Sequence, residues 1–349
     1  MIGWAKNQID SFRGRGVHAA TVPPMDGALR PNTRLEQAAV LARLPAPDNL
    51  VLHQGQVLFS SGPVIHALDM GSGAVSDWRG FGAAVSALMS REGVLAVALE
   101  DGTLTLCGTA DRVVTGIGGG ITAIAPGESG RLIVCVGSAK LGPGEWKRDL
   151  LQAGASGAVW TVSMADAAVT KVAGGLAWPA GAAMAEGRIV VVESWKHRVA
   201  QIGAAALVTD LPGYPSRLSP APGGFWLAVF APRNQLIELV LREKSYRERM
   251  MREVDPAFWI APSLSPATGF YDPMQGGAIR THGMVKPWAP TRSYGLLVRL
   301  NAAFQPVASY HSRADGRFHG VTSALQLGDR VLVTSRGGNA VLSLAEVSP

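Results

Sequence analysis

The chain has 349 residues, 47% of them hydrophobic, with 42 glycines and only 17% charged side chains. This composition excludes a disordered chain and a helical repeat, and it favours many short buried strands joined by tight turns. The net charge is +6, and the densest basic run, residues 242–252, alternates with glutamates, so no nucleic-acid partner is predicted.

The N-terminal segment, residues 1–32, is predicted to form an arm that precedes the repeats. Residues 1–20 include basic side chains but no apolar stretch of the kind found in secretory signals. No apolar run in the chain is long enough to cross a bilayer. We therefore expect a cytoplasmic protein without a membrane span.

A recurring unit fills the rest of the chain: an apolar strand, a turn with glycine, and a strand rich in β-branched residues. The second strands of these units are Gln56–Ser60, Gly93–Ala98, Arg131–Val136, Arg188–Glu193, Gly224–Val229 and Arg330–Thr334. Three of the five steps between them are roughly 36–38 residues, which is close to the period of four-stranded propeller blades. Insertions explain the two longer steps.

The two ends of the chain complement each other. The sixth unit runs out of chain after its third strand, Asn339–Leu344, whereas the strand-like segment Glu36–Arg43 has no unit of its own. If that segment completes the last blade, the ring closes and leaves no exposed sheet edge. We therefore predict an all-β fold, a single domain over residues 1–349 that forms a six-bladed β-propeller closed by an N-terminal strand.

Two insertions interrupt the repeats. Residues 139–156 in the third unit are predicted to form a long loop. In blade five, Asn234–Val254 is predicted to be a helix whose apolar face contains Leu236, Leu239, Val240, Met250, Met251 and Val254. Together with the segment rich in proline, glycine and aromatic residues that follows, residues 234–292 are predicted to form a lid over one face of the ring. The alternative is a homodimer contact through the same insertion.

Three short motifs near the middle of the chain resemble those of the strictosidine synthase-like family. They are Glu193–Val199 (ESWKHRV), Leu211–Pro215 (LPGYP) and Gly223–Ala228 (GGFWLA). The resemblance is specific over Leu176–Arg242 and weaker elsewhere. It implies a six-bladed propeller whose wider relatives include gluconolactonases and paraoxonases.

The resemblance also implies where a metal would bind. In the wider relatives, oxygen ligands from the first strands of four blades hold a catalytic Ca²⁺ on the axis, as a hard cation requires. The matching positions here lie near Asp48, at Thr122, at Ala180 and at Arg217. Alanine offers no side-chain ligand, and an arginine would repel Ca²⁺. No metal and no other cofactor is therefore predicted, although Ca²⁺ remains an alternative.

The candidate site consists of polar and aromatic residues expected around the axis. Arg217 would anchor an anionic or carbonyl-bearing substrate, and His319 would transfer protons, assisted by Asp48. The full set is His319, Asp48 and Glu193 as catalytic residues, with Arg217, Asn49, Thr122, Trp195, Trp146 and His282 as substrate-binding residues. The alternative is that Arg217 and Asp48 form a structural ion pair that plugs the channel.

Three functions follow from this site. The leading hypothesis is a hydrolase of lactone or ester type that acts on a small polar or anionic molecule without Ca²⁺. The second is a lyase or condensing enzyme of strictosidine synthase type, but the segment that would supply its glutamate, residues 319–322, has no carboxylate. The third is a non-catalytic propeller that binds a small molecule or a protein.

Overall fold

Six four-stranded antiparallel sheets form a ring in the computed structural model, which describes residues 22–266, 280–281, 284–285 and 291–345. The first strand in chain order, β1 (Ala39–Ala42), belongs to the last blade. Blade one contains β2 (Asp48–His53), β3 (Gln56–Ser61), β4 (Val64–Leu68) and β5 (Val75–Gly80). Blade two contains β6 (Val85–Arg91), β7 (Val94–Leu99), β8 (Leu104–Cys107) and β9 (Arg112–Val114).

The remaining blades follow in chain order. Blade three contains β10 (Gly120–Pro126), β11 (Arg131–Ser138), β12 (Gly157–Ser163) and β13 (Val169–Leu176). Blade four contains β14 (Pro179–Ala185), β15 (Arg188–Glu193), β16 (Arg198–Gln201) and β17 (Ala206–Val208). Blade five contains β18 (Gly213–Ala221) and β19 (Gly224–Pro232), then β22 (Gly295–Asn301) and β23 (Pro306–Ser312). A separate pair, β20 (Arg280–Thr281) and β21 (Met284–Val285), lies between β19 and β22 in the chain.

The sixth blade joins the two ends of the chain and confirms the predicted closure. Its strands β24 (Val321–Leu327), β25 (Arg330–Ser335) and β26 (Ala340–Ala345) come from the C-terminal part of the chain. β1 adds the outermost strand by antiparallel pairing with β26, with Ala39 opposite Ser343 and Val40 opposite Leu342. The predicted all-β, six-bladed propeller closed by an N-terminal strand is therefore confirmed.

Tight turns and small side chains explain why the repeat folds into blades. Gln54 and Gly55, between the first two strands of blade one, both have positive φ (48° and 80°), as the two central residues of a type I′ hairpin turn require. Buried alanines such as Ala87 and Ala123 occupy the first strands, where small side chains let neighbouring blades approach the axis closely.

The two insertions contain three short α-helices within the described residues. Residues 139–156, predicted to be a loop, include α1 (Trp146–Leu151), because Leu150 and Leu151 bury their side chains against blade five and its insertion. The helix predicted over Asn234–Val254 is divided at Glu243 into α2 (Gln235–Arg242) and α3 (Lys244–Glu253).

The division of the second helix changes which apolar residues are buried. Leu239 and Val254, predicted to lie on the apolar face, are exposed: the buried residues of α2 are Ile237, Glu238 and Val240, and Val254 follows the end of α3 in an extended conformation. Met250 is buried as expected. The lid and the homodimer contact assigned to residues 234–292 stay predictions. Among the described helices, none is both long and apolar enough to cross a membrane.

Candidate functional site

A cavity of about 260 Å³ lies on the axis of the ring. The first strand of each blade contributes to its lining, with Asp48, Ser86, Thr122, Ala180, Arg217 and Thr322. A second part of its lining consists of Trp146, Trp178, Phe230 and Leu264, of which Phe230 belongs to β19 and the others come from loops and insertions. The sequence-based set therefore places Asp48, Thr122, Arg217 and Trp146 correctly in one cavity.

The first strand of every blade contains a β-bulge at or directly after its cavity residue. In four blades the strand pairing skips a single residue, namely Ser86, Thr122, Ala180 and Thr322. In the other two it skips the pairs Asn49-Leu50 and Ser216-Arg217. A bulge removes a residue from the regular ladder and redirects its side chain and carbonyl group. Equivalent bulges in all six blades therefore gather polar groups at one point.

The side chain of Arg217 lies among these polar groups and forms hydrogen bonds to several blades. Its Nη1 donates hydrogen bonds to Asp48 Oδ1 at 2.7 Å and to the carbonyl oxygen of Thr322 at 3.3 Å. Its Nη2 donates to the carbonyl oxygens of Ser86 at 2.7 Å and Thr122 at 3.3 Å. One guanidinium group on blade five thus binds oxygens from blades one, two, three and six.

The two carboxylate oxygens of Asp48 have different environments. Oδ1 accepts hydrogen bonds from Arg217 Nη1, the Asn49 amide and the Thr322 hydroxyl. Oδ2 faces the cavity, where Arg336 Nη1 lies 3.5 Å away. Burial opposes ionisation of this side chain, but the two guanidinium charges and these hydrogen bonds outweigh it and lower its pKa. Asp48 is therefore a buried, ionised carboxylate whose Oδ2 has only the long contact with Arg336 as a partner among the described residues.

Arg336 and Ser86 are cavity residues that the sequence analysis missed. Arg336 follows the second strand of blade six, and its Nε has no hydrogen-bond partner among the described residues. The buried hydroxyl of Ser86 also lacks one within the described part of the chain. The only sequence signal was the Gly337-Gly338 pair after Arg336, which permits a tight turn toward the axis.

The aromatic part of the lining is built around Trp178, a third residue that the sequence analysis missed. Trp178 has a left-handed backbone conformation (φ 53°), which is unusual for a bulky residue. It stacks on Trp195, with ring centroids 5.2 Å apart, and Trp195 Nε1 donates to Asp149 Oδ1 on α1. Trp195, predicted to bind substrate, therefore lies behind the wall and supports it.

Glu193 contacts the segment that precedes Trp178 and lies outside the cavity lining. Its side chain is fully buried and accepts a hydrogen bond from the amide of Ala177, the residue before Trp178. Lys196 Nζ, at 2.9 Å, and the Arg198 guanidinium neutralise its charge. Desolvation is outweighed by these contacts, which lower the pKa of Glu193. The geometry therefore assigns Glu193 a positioning role instead of the catalytic role that we predicted.

Replacing Glu193 with glutamine should destabilise the protein by about 2 kcal/mol. The substitution removes a buried charge from two basic partners, and because those partners are a third or more exposed, the loss falls below that of a fully buried pair. Glu145→Gln is the matched control, since the Glu145–Arg148 pair is exposed on both sides. Urea unfolding measures both variants, and equal losses would contradict the positioning role.

His319 does not reach the cavity and is not brought together with Asp48. The residue is fully buried beside blade five, where Nδ1 lies 2.9 Å from the Ser293 hydroxyl and Nε2 lies 2.7 Å from the carbonyl oxygen of Arg313. Burial lowers its pKa. Both ring nitrogens are engaged in structural contacts, so the predicted proton transfer by His319 finds no support in this geometry.

The remaining predicted residues fall into three places. Asn49 is buried at the bulge of blade one, where Nδ2 donates to the Ser60 hydroxyl at 2.8 Å, and it is not part of the cavity lining. Thr122 lines the cavity, but its hydroxyl donates to the carbonyl oxygens of Pro179 and Cys135. His282 lies outside the described residues.

Comparisons with known proteins show the class of fold. No protein-family model and no curated protein sequence matches the chain. Among solved structures, a gluconolactonase from Xanthomonas campestris superposes with a TM-score of 0.56 at 12% identity, covering 93% of this chain and 95% of that one. A regucalcin from Agrobacterium tumefaciens, described as a calcium-binding protein, gives 0.53 at 15% identity, with 88% and 92% covered.

A third solved structure supports the same conclusion. A luciferin-regenerating enzyme superposes with a TM-score of 0.54 at 13% identity, covering 90% of this chain and 94% of that one. At such identities the likeness shows the fold alone. The chain therefore has the six-bladed propeller fold that gluconolactonases and regucalcin share, and its activity has to be argued from its own residues.

The axial residues do not fit a calcium ion. Ca²⁺ takes six to eight oxygen ligands at about 2.3–2.6 Å, whereas here the Arg217 guanidinium already lies among the converging oxygens, 2.7 Å from Asp48 Oδ1 and from the Ser86 carbonyl. Two positive charges, Arg217 and Arg336, face the same carboxylate. Within the described residues, no three His, Cys, Asp or Glu side chains cluster as a metal site would require.

Proposed function

We propose that this protein is a metal-independent hydrolase of the lactone or ester type, acting in the axial cavity on a small polar or anionic molecule. One observation carries the proposal: Asp48 Oδ2 pairs with the guanidinium of Arg336, 3.5 Å away, inside a cavity with an aromatic wall. A carboxylate and a cation at that spacing are the two groups that water-dependent cleavage of an acyl bond needs.

Charge and shape support an anionic substrate with an apolar body. Arg217 and Arg336 place two positive charges beside the single carboxylate of Asp48, which leaves a net charge of +1 among these three groups, and Arg336 Nε has no hydrogen-bond partner among the described residues. Ser86 contributes a second unpaired polar group nearby in the lining. Trp146 and Trp178 offer flat apolar surface on the other side. A small carboxylate-bearing lactone or aryl ester satisfies both sides.

The proposed reaction uses Asp48 and Arg336 in defined roles. Asp48 Oδ2 accepts a proton from water as the water oxygen attacks the acyl carbon, and Arg336 stabilises the oxyanion that forms. The acyl carbon–oxygen bond then breaks, and the leaving alkoxide takes the proton back from Asp48. Because the pKa of Asp48 is lowered, this carboxylate is a weak base, and the rate should depend mainly on positioning and charge.

The test is hydrolysis of a panel of carboxylated lactones and aryl esters in the presence of EDTA. We expect turnover that EDTA does not reduce, a loss of at least about 100-fold in kcat for Asp48→Asn, and a rise in KM of about 10-fold for Arg336→Ala. Arg79→Ala is the control, because Arg79 pairs with Asp111 on the outside of the ring. Complete inhibition by EDTA, or equal loss in the control, would contradict the proposal.

A non-catalytic small-molecule propeller is the second candidate. The lowered pKa of Asp48 and its three hydrogen bonds at Oδ1 favour this alternative, since both reduce its basicity. It predicts that carboxylated ligands raise the melting temperature through Arg336 while none of them is hydrolysed. The condensing activity implied by the strictosidine synthase-like resemblance has no support here, because residues 319–322, which would supply its glutamate, contain no carboxylate.

A further inference from the structure

The bulges of the first strands create a local electrostatic problem at the axis. The carbonyl oxygens of Ser86, Thr122 and Thr322 and the carboxylate of Asp48 all lie within hydrogen-bonding distance of one guanidinium group. Unsatisfied oxygens that converge in a buried place repel one another, and each costs free energy when it has no donor. A cation is the simplest group that satisfies all four.

We propose that this oxygen ring is a guanidinium-binding site, and that the side chain of Arg217 is its permanently attached cation. When Arg217 is shortened to alanine, the empty ring should bind free guanidinium from solution. The inference does not depend on the hydrolase activity, because it concerns how the axis of the ring is held together.

The arrangement of the oxygens favours a planar forked cation over a spherical one. Two of them, Asp48 Oδ1 and the Thr322 carbonyl, surround Nη1, while the carbonyl oxygens of Ser86 and Thr122 surround Nη2. The four oxygens are thus divided between two nitrogen positions. A single metal ion with bonds of about 2.3–2.6 Å would reach one pair closely but not both, whereas a guanidinium group bonds both pairs at once.

The oxygen ring also explains how the blades are held together at the axis of the propeller. Arg217 belongs to blade five and bonds to four other blades. The hydroxyl of Thr122 continues the connection to blade four through the carbonyl oxygen of Pro179. All six blades are therefore linked through one charged group and one hydroxyl. The side chain of Arg217 is only 17% exposed, so little of its charge is screened by water.

The experiment measures the melting temperature of Arg217→Ala as a function of added cation. About 50 mM guanidinium chloride, far below a denaturing concentration, should raise the melting temperature of this variant by a few degrees. Methylguanidinium should act similarly, whereas sodium chloride at the same ionic strength and calcium chloride should not. In the wild-type protein the oxygen ring already holds the guanidinium group of Arg217. Its melting temperature should therefore show no increase with any of these salts.

Two further variants keep the inference falsifiable if Arg217→Ala folds poorly. In Arg217→Lys, a single ammonium group cannot bond to both pairs of oxygens, so the melting temperature should fall below that of the wild type. Adding Asp48→Asn to Arg217→Ala should weaken the guanidinium effect by removing the negative charge. A stabilisation by calcium larger than that by guanidinium, or an Arg217→Lys variant as stable as the wild type, would overturn the proposal.

Discussion

Replacing Arg217 with methionine is expected to lower the free energy of unfolding by about 3–5 kcal/mol, the range for removing one partner of a buried ion pair. The substitution keeps an apolar stem of similar length but leaves the charge of Asp48 buried, with Arg336 as its remaining cation at 3.5 Å. It also leaves the carbonyl oxygens of Ser86 and Thr122 without the donor that Arg217 supplied. Urea unfolding at pH 7 measures the loss.

A double-mutant cycle separates the ion pair from the rest of the network. Asp48→Asn alone should also destabilise the protein, because Arg217 then lacks its counter-charge. The double variant Asp48→Asn/Arg217→Met should recover part of the sum of the two losses, since no unpaired charge remains at the axis. Arg79→Met is the control, as its pair with Asp111 is about 40% exposed on both sides and should cost less than about 1 kcal/mol. Additive losses would show that Arg217 and Asp48 act independently.

Acidification from pH 6.5 to 5 is expected to destabilise the protein by about 3 kcal/mol through two buried histidines. Burial lowers the pKa of His197 and of His311 to about 4. Between pH 6.5 and 4 these two histidines therefore bind protons in the unfolded chain but stay largely neutral in the folded protein. The free energy of unfolding therefore decreases as the pH falls. Each histidine contributes about 0.7 kcal/mol per pH unit at pH 6.5, where the unfolded histidine is half protonated, and this contribution approaches about 1.4 kcal/mol per pH unit near pH 5.

The surroundings of the two histidines fix the sign of this effect. His311 is fully buried, with Nδ1 near the Tyr294 hydroxyl and Nε2 near the Ser309 hydroxyl, and burial is what lowers its pKa. His197 is desolvated and lies near Arg233, which together outweigh the attraction of Glu238 at 3.8 Å. Both residues therefore favour the neutral form in the folded protein.

Urea unfolding at pH 6.5 and pH 5 measures the pH effect, and His311→Gln provides the matched variant. This variant should be less stable than the wild type at pH 6.5, but its stability should fall by about 2 kcal/mol less on acidification, because one proton-binding group has been removed. Burial raises the pKa of Asp149, which acts in the opposite direction as the pH approaches the acidic range. An unchanged pH dependence in His311→Gln would contradict the assignment.

The sequence identified the cavity residues on the first strands, but not the cavity residue that follows a second strand. Asp48 and Arg217 could be found because both lie where the first strand of a blade meets the axis, a place that the repeat pattern locates. Arg336 could not, since it follows a second strand and reaches the cavity only through the turn after β25. His319 was misplaced for the related reason that it precedes the bulge of β24 and turns toward Ser293 instead.

What the sequence by itself determined is the ring: six repeats of apolar strands and glycine turns, with a spare strand at the start that completes the last blade. Those features are local, because strand periodicity and turn chemistry depend on neighbouring residues. Only the tertiary structure decided the centre. Arg217 could either bind a substrate or bond to the protein itself. Which of the two it does depends on oxygens that four separate blades bring to it. Bulges in distant strands set those positions, and no local pattern encodes the distances between them.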